Sequence, residues 1–191
     1  MALSNWTVTG PHSIVADPTG VLDGNVLLKP SGVILTNLLL NEEIGTATPF
    51  SMTNLRVELD LWNLVSQSSI LRFRCRRVDD DNYYQFDLQF FLGGSFVAMY
   101  RVKAGLSTQL ALIPMPAAMI VNQVKQHAYF QLITLANGDV ELGFVYDGVT
   151  ELIVTDAAAA GVFGAGKFEL ELEGASTTYY DDLQITELVL L

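Results

Sequence analysis

The sequence predicts an all-β protein that folds as one antiparallel β-sandwich. Several segments alternate apolar and polar residues with a period of two, as half-buried strands do. Turn signals such as DDDN, ANGD and YDG separate these segments at short, regular intervals. The Asn-Gly pair of ANGD predicts a type I′ turn, and Asp147-Gly148 repeats the same device. No apolar pattern with the helical period of 3.6 is long enough to indicate a helix. We therefore expect eleven to fourteen strands and almost no helix, an arrangement typical of a sandwich or barrel.

Size and composition point to a single domain over residues 1–191. Half of the residues are hydrophobic, which supports one substantial core. The single cysteine, Cys75, excludes an internal disulfide and is expected in that core. The net charge of −11 argues against a nucleic acid or an anionic membrane as partner, because both are negative themselves.

The clearest hairpin spans residues 71–90, where apolar residues alternate with arginines before the turn DDDN and with Gln and Asp after it. A five-residue loop at 78–82 would set Arg74 opposite Asp87 and Arg76 opposite Gln85. We interpret the arginine cluster as cross-strand ion pairs rather than as a nucleic-acid site, because neighbouring aspartates neutralise it. The cluster comprises Arg72, Arg74, Arg76 and Arg77.

A later segment, FELELE, alternates strictly and carries Glu169, Glu171 and Glu173 on one face. A glycoside hydrolase would need two carboxylates that divide the acid and base roles, and no second acid is evident beside these three. We therefore predict a solvated strand face. The sequence also lacks a nucleophile elbow, and His12 and His127 lack neighbours at metal-ligand spacing, so no enzymatic activity is expected.

The stretch YYDDLQI presents a conflict. In a regular strand, Asp181 would share a face with Leu183 and Ile185, and an unpaired buried carboxylate is costly. Either a fixed partner holds Asp181, or the strand bulges and turns it outward.

Sugar binding requires an exposed aromatic ring beside hydrogen-bonding side chains. Trp62 continues the outward positions of the segment from residue 56 and is the first candidate, with Tyr83 as the second. Trp62 would equally fit as a cap on the core at a strand end.

The order of these features resembles the concanavalin A-like jelly roll of the laminin-G-like group. The resemblance covers roughly residues 50–187 and rests on ILRFRCRRVDDDNYYQFDLQF, on the FVAMYRV hairpin, on the NGD hairpin, and on the glycine-rich approach to YYDDLQI. It implies a jelly-roll sandwich in which Asp181 or Asp182 is an oxygen ligand of calcium. The alternative is an aspartate that accepts backbone N–H bonds in a bulge or turn.

For the function we expect a non-enzymatic, lectin-like structural or adhesive protein of a larger assembly, best assigned as a phage virion component that decorates the capsid or joins the tail. The reasons are a lone module from Met1 without a signal peptide, and apolar segments such as VILTNLLL and ELVLL that suit self-association or docking on a capsid or tail. Such a protein would be made in the host cytoplasm. The alternative is a carbohydrate-binding module of a polysaccharide-degrading system, with a glycan as partner.

Overall fold

The computed structural model describes residues 6–9, 13–16, 25–29, 36–40, 52–64, 69–91, 94–115, 125–146, 150–157, 163–174 and 177–188. These residues form fourteen β-strands and no helix, which confirms the predicted all-β class. The strands are β1 Trp6–Thr9, β2 Ser13–Ala16, β3 Asn25–Lys29, β4 Thr36–Leu40, β5 Leu55–Leu64, β6 Ser69–Asp79, β7 Asn82–Phe90, β8 Ser95–Lys103, β9 Leu106–Met115, β10 Lys125–Thr134, β11 Val140–Tyr146, β12 Thr150–Asp156, β13 Lys167–Gly174 and β14 Thr177–Glu187. Within these ranges no helix is long and apolar enough to cross a membrane.

The strands build two antiparallel sheets of seven strands each. Sheet A has the order β1-β4-β13-β6-β7-β8-β9, and sheet B has the order β12-β11-β10-β5-β14-β3-β2. Consecutive hairpins therefore fill one half of each sheet, β6 to β9 in sheet A and β10 to β12 in sheet B.

The core lies between the two sheets and is built from the apolar half of each alternating segment. Phe130 of sheet B packs against two rings of sheet A, with centroids 4.4 Å from Phe73 and 5.1 Å from Phe86. Cys75 is fully buried among them, as predicted, and burial raises the pKa of its thiol to about 12. These contacts show the layered packing of a sandwich.

The β6–β7 hairpin forms, but its predicted register is wrong. Asp79 pairs with Asn82 across a two-residue turn, and the register then shifts between Cys75 and Asp79. Beyond the shift Arg72, not Arg74, lies opposite Asp87. A β-bulge in β6 explains the change, because extra residues on one strand displace every later pair.

The bulge also reverses the predicted position of Arg76. Its φ of +49° places it in the left-handed region, and its side chain is fully buried instead of pointing outward beside Arg74. One residue in this conformation interrupts the alternation of β6 and sends Arg76 to the same side as Cys75.

The backbone conformation of the turn in the NGD hairpin differs from the predicted type I′ turn. In a type I′ turn both central residues have positive φ, but here only Gly138 does, at +88°. Gly138 N donates to Leu135 O at 2.9 Å, which gives a type I turn followed by a left-handed glycine. Positive φ at two successive residues occurs instead at Ala104 and Gly105, between β8 and β9. The expected Asp147-Gly148 turn lies outside the described residues.

Strand β14 resolves the conflict in YYDDLQI by bulging. Asp181 pairs with Asp60 and Gln184 pairs with Glu58, so the register shifts between them and β14 holds one extra residue there. Leu183 and Ile185 pack against the core. The bulge of the second predicted alternative is therefore present and breaks the alternation between Asp181 and these residues, while the side chain of Asp181 lies outside the described set.

Replacing Gly166 with alanine is expected to lower the free energy of unfolding by about 1–3 kcal/mol. A Cβ atom at this position would lie 2.4 Å from the carbonyl carbon of Arg76 and 2.8 Å from its oxygen, so backbone would have to move. Gly164→Ala is the matched control, because nothing lies within 4 Å of its Cβ position. Chemical denaturation of both variants measures the difference, and equal stability would contradict the close packing at the bulge.

Candidate functional site

A charged surface covers the outer side of sheet A, on the strands β13, β6 and β7. We call it the charged face. It arises because the alternate residues of these strands face the core, which leaves the polar residues between them on the opposite side. The charged face comprises Arg72, Arg74, Arg77, Gln85, Asp87, Gln89, Glu169, Glu171 and Glu173.

The register of the three strands aligns opposite charges in rows. Arg72 on the middle strand lies between Glu171 of β13 and Asp87 of β7. Arg74 lies between Glu169 and Gln85 in the next row. Cross-strand neighbours of opposite charge are close enough to pair, so each arginine meets a carboxylate.

The pairs are joined into one network. Arg72 Nε lies 3.0 Å from Asp87 Oδ1, and its Nη1 contacts Glu171. Arg74 reaches Glu169 Oε2 at 3.1 Å and Glu171 Oε2 at 2.7 Å. Glu171 therefore bridges both guanidinium groups, and the network holds these side chains in fixed positions. The predicted cross-strand ion pairs are thus present, although Asp87 pairs with Arg72 and not with Arg74, and glutamates of β13 supply further partners.

The predicted solvated face of β13 is wrong for two of its three glutamates. Glu171 is 3% exposed and Glu169 is 5% exposed, although both lie on the outer side of the sheet. The arginine side chains that pair with them also cover them. Only Glu173, with 41% of its side chain exposed, behaves as expected.

Burial changes the acid strength of groups on this surface. Asp87 is 3% exposed, and desolvation raises its pKa, while Arg72 acts in the opposite direction. Gln89 Nε2 donates to Asp87 Oδ2 at 3.2 Å. Desolvation, and then the charge of Asp87, raise the pKa of Tyr100. The carboxylate of Asp87 is thus close enough to Tyr100 for its charge to raise the pKa of the tyrosine hydroxyl.

Partly buried aromatic rings flank the charged face. Tyr83 lies at one end, where the Cζ of Arg74 is 5.2 Å from its ring centroid. On β8, Tyr100 lies opposite Gln85, and Phe96 lies opposite Gln89. Of these three rings, only Tyr83 was predicted from the sequence, and Tyr100 and Phe96 were not. Their alternation along FVAMYRV, next to a strand of outward amides, was the available signal.

Trp62, the other predicted aromatic candidate, lies on the opposite sheet. Its backbone in β5 pairs with Lys125 and Tyr179, while its side chain is outside the described set. The structure therefore does not bring Trp62 and Tyr83 together. The prediction that Trp62 contacts a ligand stays a prediction.

The predicted calcium ligands also lie on sheet B. Asp181 pairs in register with Asp60, whose carboxylate binds Lys125 Nζ at 2.7 Å and His127 Nδ1 at 2.8 Å. Across the ranges given above, no group of three or more His, Cys, Asp or Glu is arranged to hold a metal ion. The side chains of Asp181 and Asp182 lie outside the described set, so calcium binding there stays a prediction.

Comparisons with known proteins agree with this architecture. No protein-family model and no curated protein sequence matches the chain. Among solved structures, the carbohydrate-binding module CBM66 from Bacillus subtilis superposes with a TM-score of 0.61 at 15% identity, covering 97% of each chain. The legume lectin-like domain from Entamoeba histolytica gives a TM-score of 0.65 at 9% identity, covering 97% of this chain and 91% of that one.

A third similar structure is the carbohydrate recognition domain of Emp46p. Its metal-free form gives a TM-score of 0.65 at 11% identity, covering 98% of this chain and 90% of that one. A potassium-bound form of the same domain has also been solved. At these identities the likeness concerns the fold. Two antiparallel sheets in this order, superposing over nearly their whole length on lectin-type domains, show that the chain has the concanavalin A-like jelly-roll fold.

Proposed function

We propose that the protein is a carbohydrate-binding domain and that it holds its glycan on the charged face of sheet A. The observation that carries this proposal is the row of fixed planar polar groups flanked by partly buried aromatic rings on one sheet surface. The lectin-like fold supports the same class of ligand. A carbohydrate-binding module was the alternative to the virion role among the expectations from the sequence.

The chemistry of the charged face suits a sugar. Arg72, Gln85 and Gln89 offer planar donors and acceptors that match neighbouring hydroxyl groups, and Tyr100 offers a flat apolar surface to a sugar ring. The ion pairs hold Arg72 in place before any ligand arrives. Preorganisation of this kind reduces the entropy that binding would otherwise cost.

The same contacts favour binding over hydrolysis. Glycoside hydrolysis requires one carboxyl group that delivers a proton and a second that acts as a base or nucleophile. Glu171 is committed to Arg72 and Arg74, and Asp87 is committed to Arg72. Neither is free for a separate role, which agrees with a non-catalytic protein.

The charges also indicate the type of glycan. Three arginines on the charged face meet four carboxylates, Asp87 and the three glutamates of β13, and the whole chain carries a net charge of −11. Uronate or sulfate groups would be repelled by this surface. We therefore expect neutral glycans to bind more tightly than anionic ones.

The test combines a glycan array with calorimetry on two matched variants. Tyr100→Ala removes a ring beside the charged face, and Tyr129→Ala removes a ring from the outer side of sheet B, where Arg56 covers it at 4.0 Å. For a neutral glycan found on the array, Tyr100→Ala should weaken binding at least about tenfold, and Tyr129→Ala should leave it unchanged. No retained glycan, or equal losses in both variants, would contradict the proposal.

The expected phage virion role gains no support from the similar structures, which are carbohydrate-binding and lectin-like domains. It stays a prediction, together with the cytoplasmic origin that was attached to it.

A further inference from the structure

An apolar surface adjoins the charged face on strands β8 and β9. The register places Asp87, Ala98 and Leu112 in one row across β7, β8 and β9. Residues that pair in this way lie on the same side of a sheet, so the row continues the outer surface of sheet A beyond Asp87. The neighbouring row is apolar on the same two strands. We call these four residues the apolar strip: Phe96, Ala98, Leu112 and Pro114.

The apolar strip is closely packed, and its border on β9 is accessible. Ala98 is fully buried, whereas Leu112 is 48% exposed and Pro114 is also exposed. The ring of Phe91 lies against the strip, with its centroid 6.3 Å from that of Phe96. Because neighbouring side chains cover the small Ala98, the strip presents a continuous apolar surface to a ligand.

Leu112 differs by its position from the other large apolar residues that are exposed in the described ranges. Val78 and Leu106 lie beside turns, at the ends of β6 and β9, and Ile153 belongs to sheet B. Of these four residues, only Leu112 lies inside a strand of sheet A and in one row with Asp87 of the charged face. The exposed apolar surface at Leu112 is therefore continuous with the candidate ligand site.

The apolar strip differs in chemistry from the amides and arginines beside it. Sugar hydroxyl groups need hydrogen-bonding partners, and none of the four side chains of the strip is a donor or an acceptor. The change from polar to apolar side chains occurs between β7 and β8, over one strand spacing of roughly 5 Å. A ligand that covers both surfaces must therefore be polar near Gln85 and Arg72 and apolar on the strip.

We propose that the ligand is a neutral glycoside with an apolar aglycone, and that the aglycone lies on the apolar strip. This inference rests on the proposed function, because the charged face must hold the sugar. Two strand spacings, roughly 10 Å, separate β7 from β9, so an alkyl chain of medium length on the sugar reaches Leu112. Contact between the chain and the strip removes apolar surface of both partners from water, which favours binding.

Calorimetry with a matched pair of ligands tests this inference. The neutral glycan chosen from the array is prepared as a methyl glycoside and as an octyl glycoside of the same anomer, both below the concentration at which the octyl form makes micelles. Full burial of one methylene group raises affinity about fourfold. We expect the octyl glycoside to bind at least about tenfold more tightly. Equal affinities would overturn the inference and leave the glycan site intact.

Leu112→Asn tests whether the gain comes from the apolar strip. The variant keeps a side chain of similar size but removes its apolar surface, so the octyl glycoside should bind less than about threefold more tightly than the methyl glycoside. The affinity for the methyl glycoside should not change. Ile153→Asn is the matched control, because Ile153 is 49% exposed on sheet B, and it should change neither affinity. Leu112→Thr is the second variant, in case Leu112→Asn fails to fold.

Two results with these variants and ligands would contradict the position of the aglycone or the role of the sugar. If the octyl glycoside kept its full advantage in every folded Leu112 variant, the chain would bind elsewhere. If an octyl glycoside of a sugar that the array does not retain bound equally well, the sugar would take no part. An array that retains no glycan would overturn the proposed function together with this inference, whereas equal binding of the two glycosides would overturn this inference alone.

Discussion

Replacing Arg76 with methionine should lower the free energy of unfolding by about 3 kcal/mol or more. The guanidinium group of Arg76 is buried and donates to Thr53 O at 2.5 Å and to Phe163 O at 3.0 Å. It also donates to Thr134 Oγ1 at 2.6 Å and to Asn54 Oδ1 at 3.4 Å. Methionine fills much of the volume but donates none of these bonds, and of the four acceptors Asn54 Oδ1 keeps a bond from Thr134 N at 2.7 Å.

The position of Arg76 explains why the effect should be large. Arg76 belongs to β6 of sheet A, whereas Asn54 precedes β5 and Thr134 ends β10, both in sheet B. One side chain therefore links the two sheets at the end of the sandwich. Burial lowers the pKa of Arg76 to about 10, which still leaves it charged at neutral pH.

Urea denaturation monitored by circular dichroism measures this prediction, with two companion variants. Lys103→Met removes an exposed charge from β8 and should change stability by less than about 0.5 kcal/mol. Arg76→Lys keeps the charge but lacks the planar guanidinium group with its several donors. Its stability should therefore lie between that of Arg76→Met and that of the wild type. If Arg76→Met lost no more stability than Lys103→Met, the buried hydrogen bonds of Arg76 would not stabilise the fold.

The second large effect is expected for Glu171→Gln, at about 3 kcal/mol. Glu171 is nearly inaccessible and bridges Arg72 and Arg74, so a neutral amide would leave two partly buried guanidinium groups undercompensated. Glu173→Gln is the matched control on the same strand. Because Glu173 is 41% exposed and lies 3.3 Å from Arg72 Nη1, its removal should cost less than about 1 kcal/mol.

Thermal and chemical unfolding of both glutamate variants would distinguish the buried Glu171, which bridges two arginines, from the exposed Glu173. If the two variants lost equal stability, β13 would be the solvated face that alternation alone suggests, and the network would not hold the charged face in place. A lower free energy of unfolding in Glu171→Gln alone would support the buried network on which the proposed binding site depends.

Alternation in the sequence was sufficient for the fold class, because a period of two reports which side of a strand each residue occupies. The period does not show how deeply a side chain is buried on that side. Glu169 and Glu171 were correctly assigned to the outer side of β13, yet their burial depends on arginines from a strand about 95 residues away in the sequence. No local pattern contains that information.

Bulges account for most of the remaining differences. The predicted register of β6 and β7 assumed regular strands, and the bulge at Arg76 moved each later pair. The adjacent arginines at 76 and 77 interrupted the alternation and were the one visible warning. In β14 the conflict between Asp181 and its aliphatic neighbours gave a clearer warning, and a bulge was correctly considered there.

The most direct test of the account is the position of a bound glycan. Crystals of the protein grown with a neutral oligosaccharide chosen from the array should show the sugar on the outer side of sheet A, within hydrogen-bond distance of Gln85 or Arg72 and in contact with the ring of Tyr100. A sugar bound instead on sheet B, near Trp62 and Asp181, would contradict the assignment of the charged face as the ligand site.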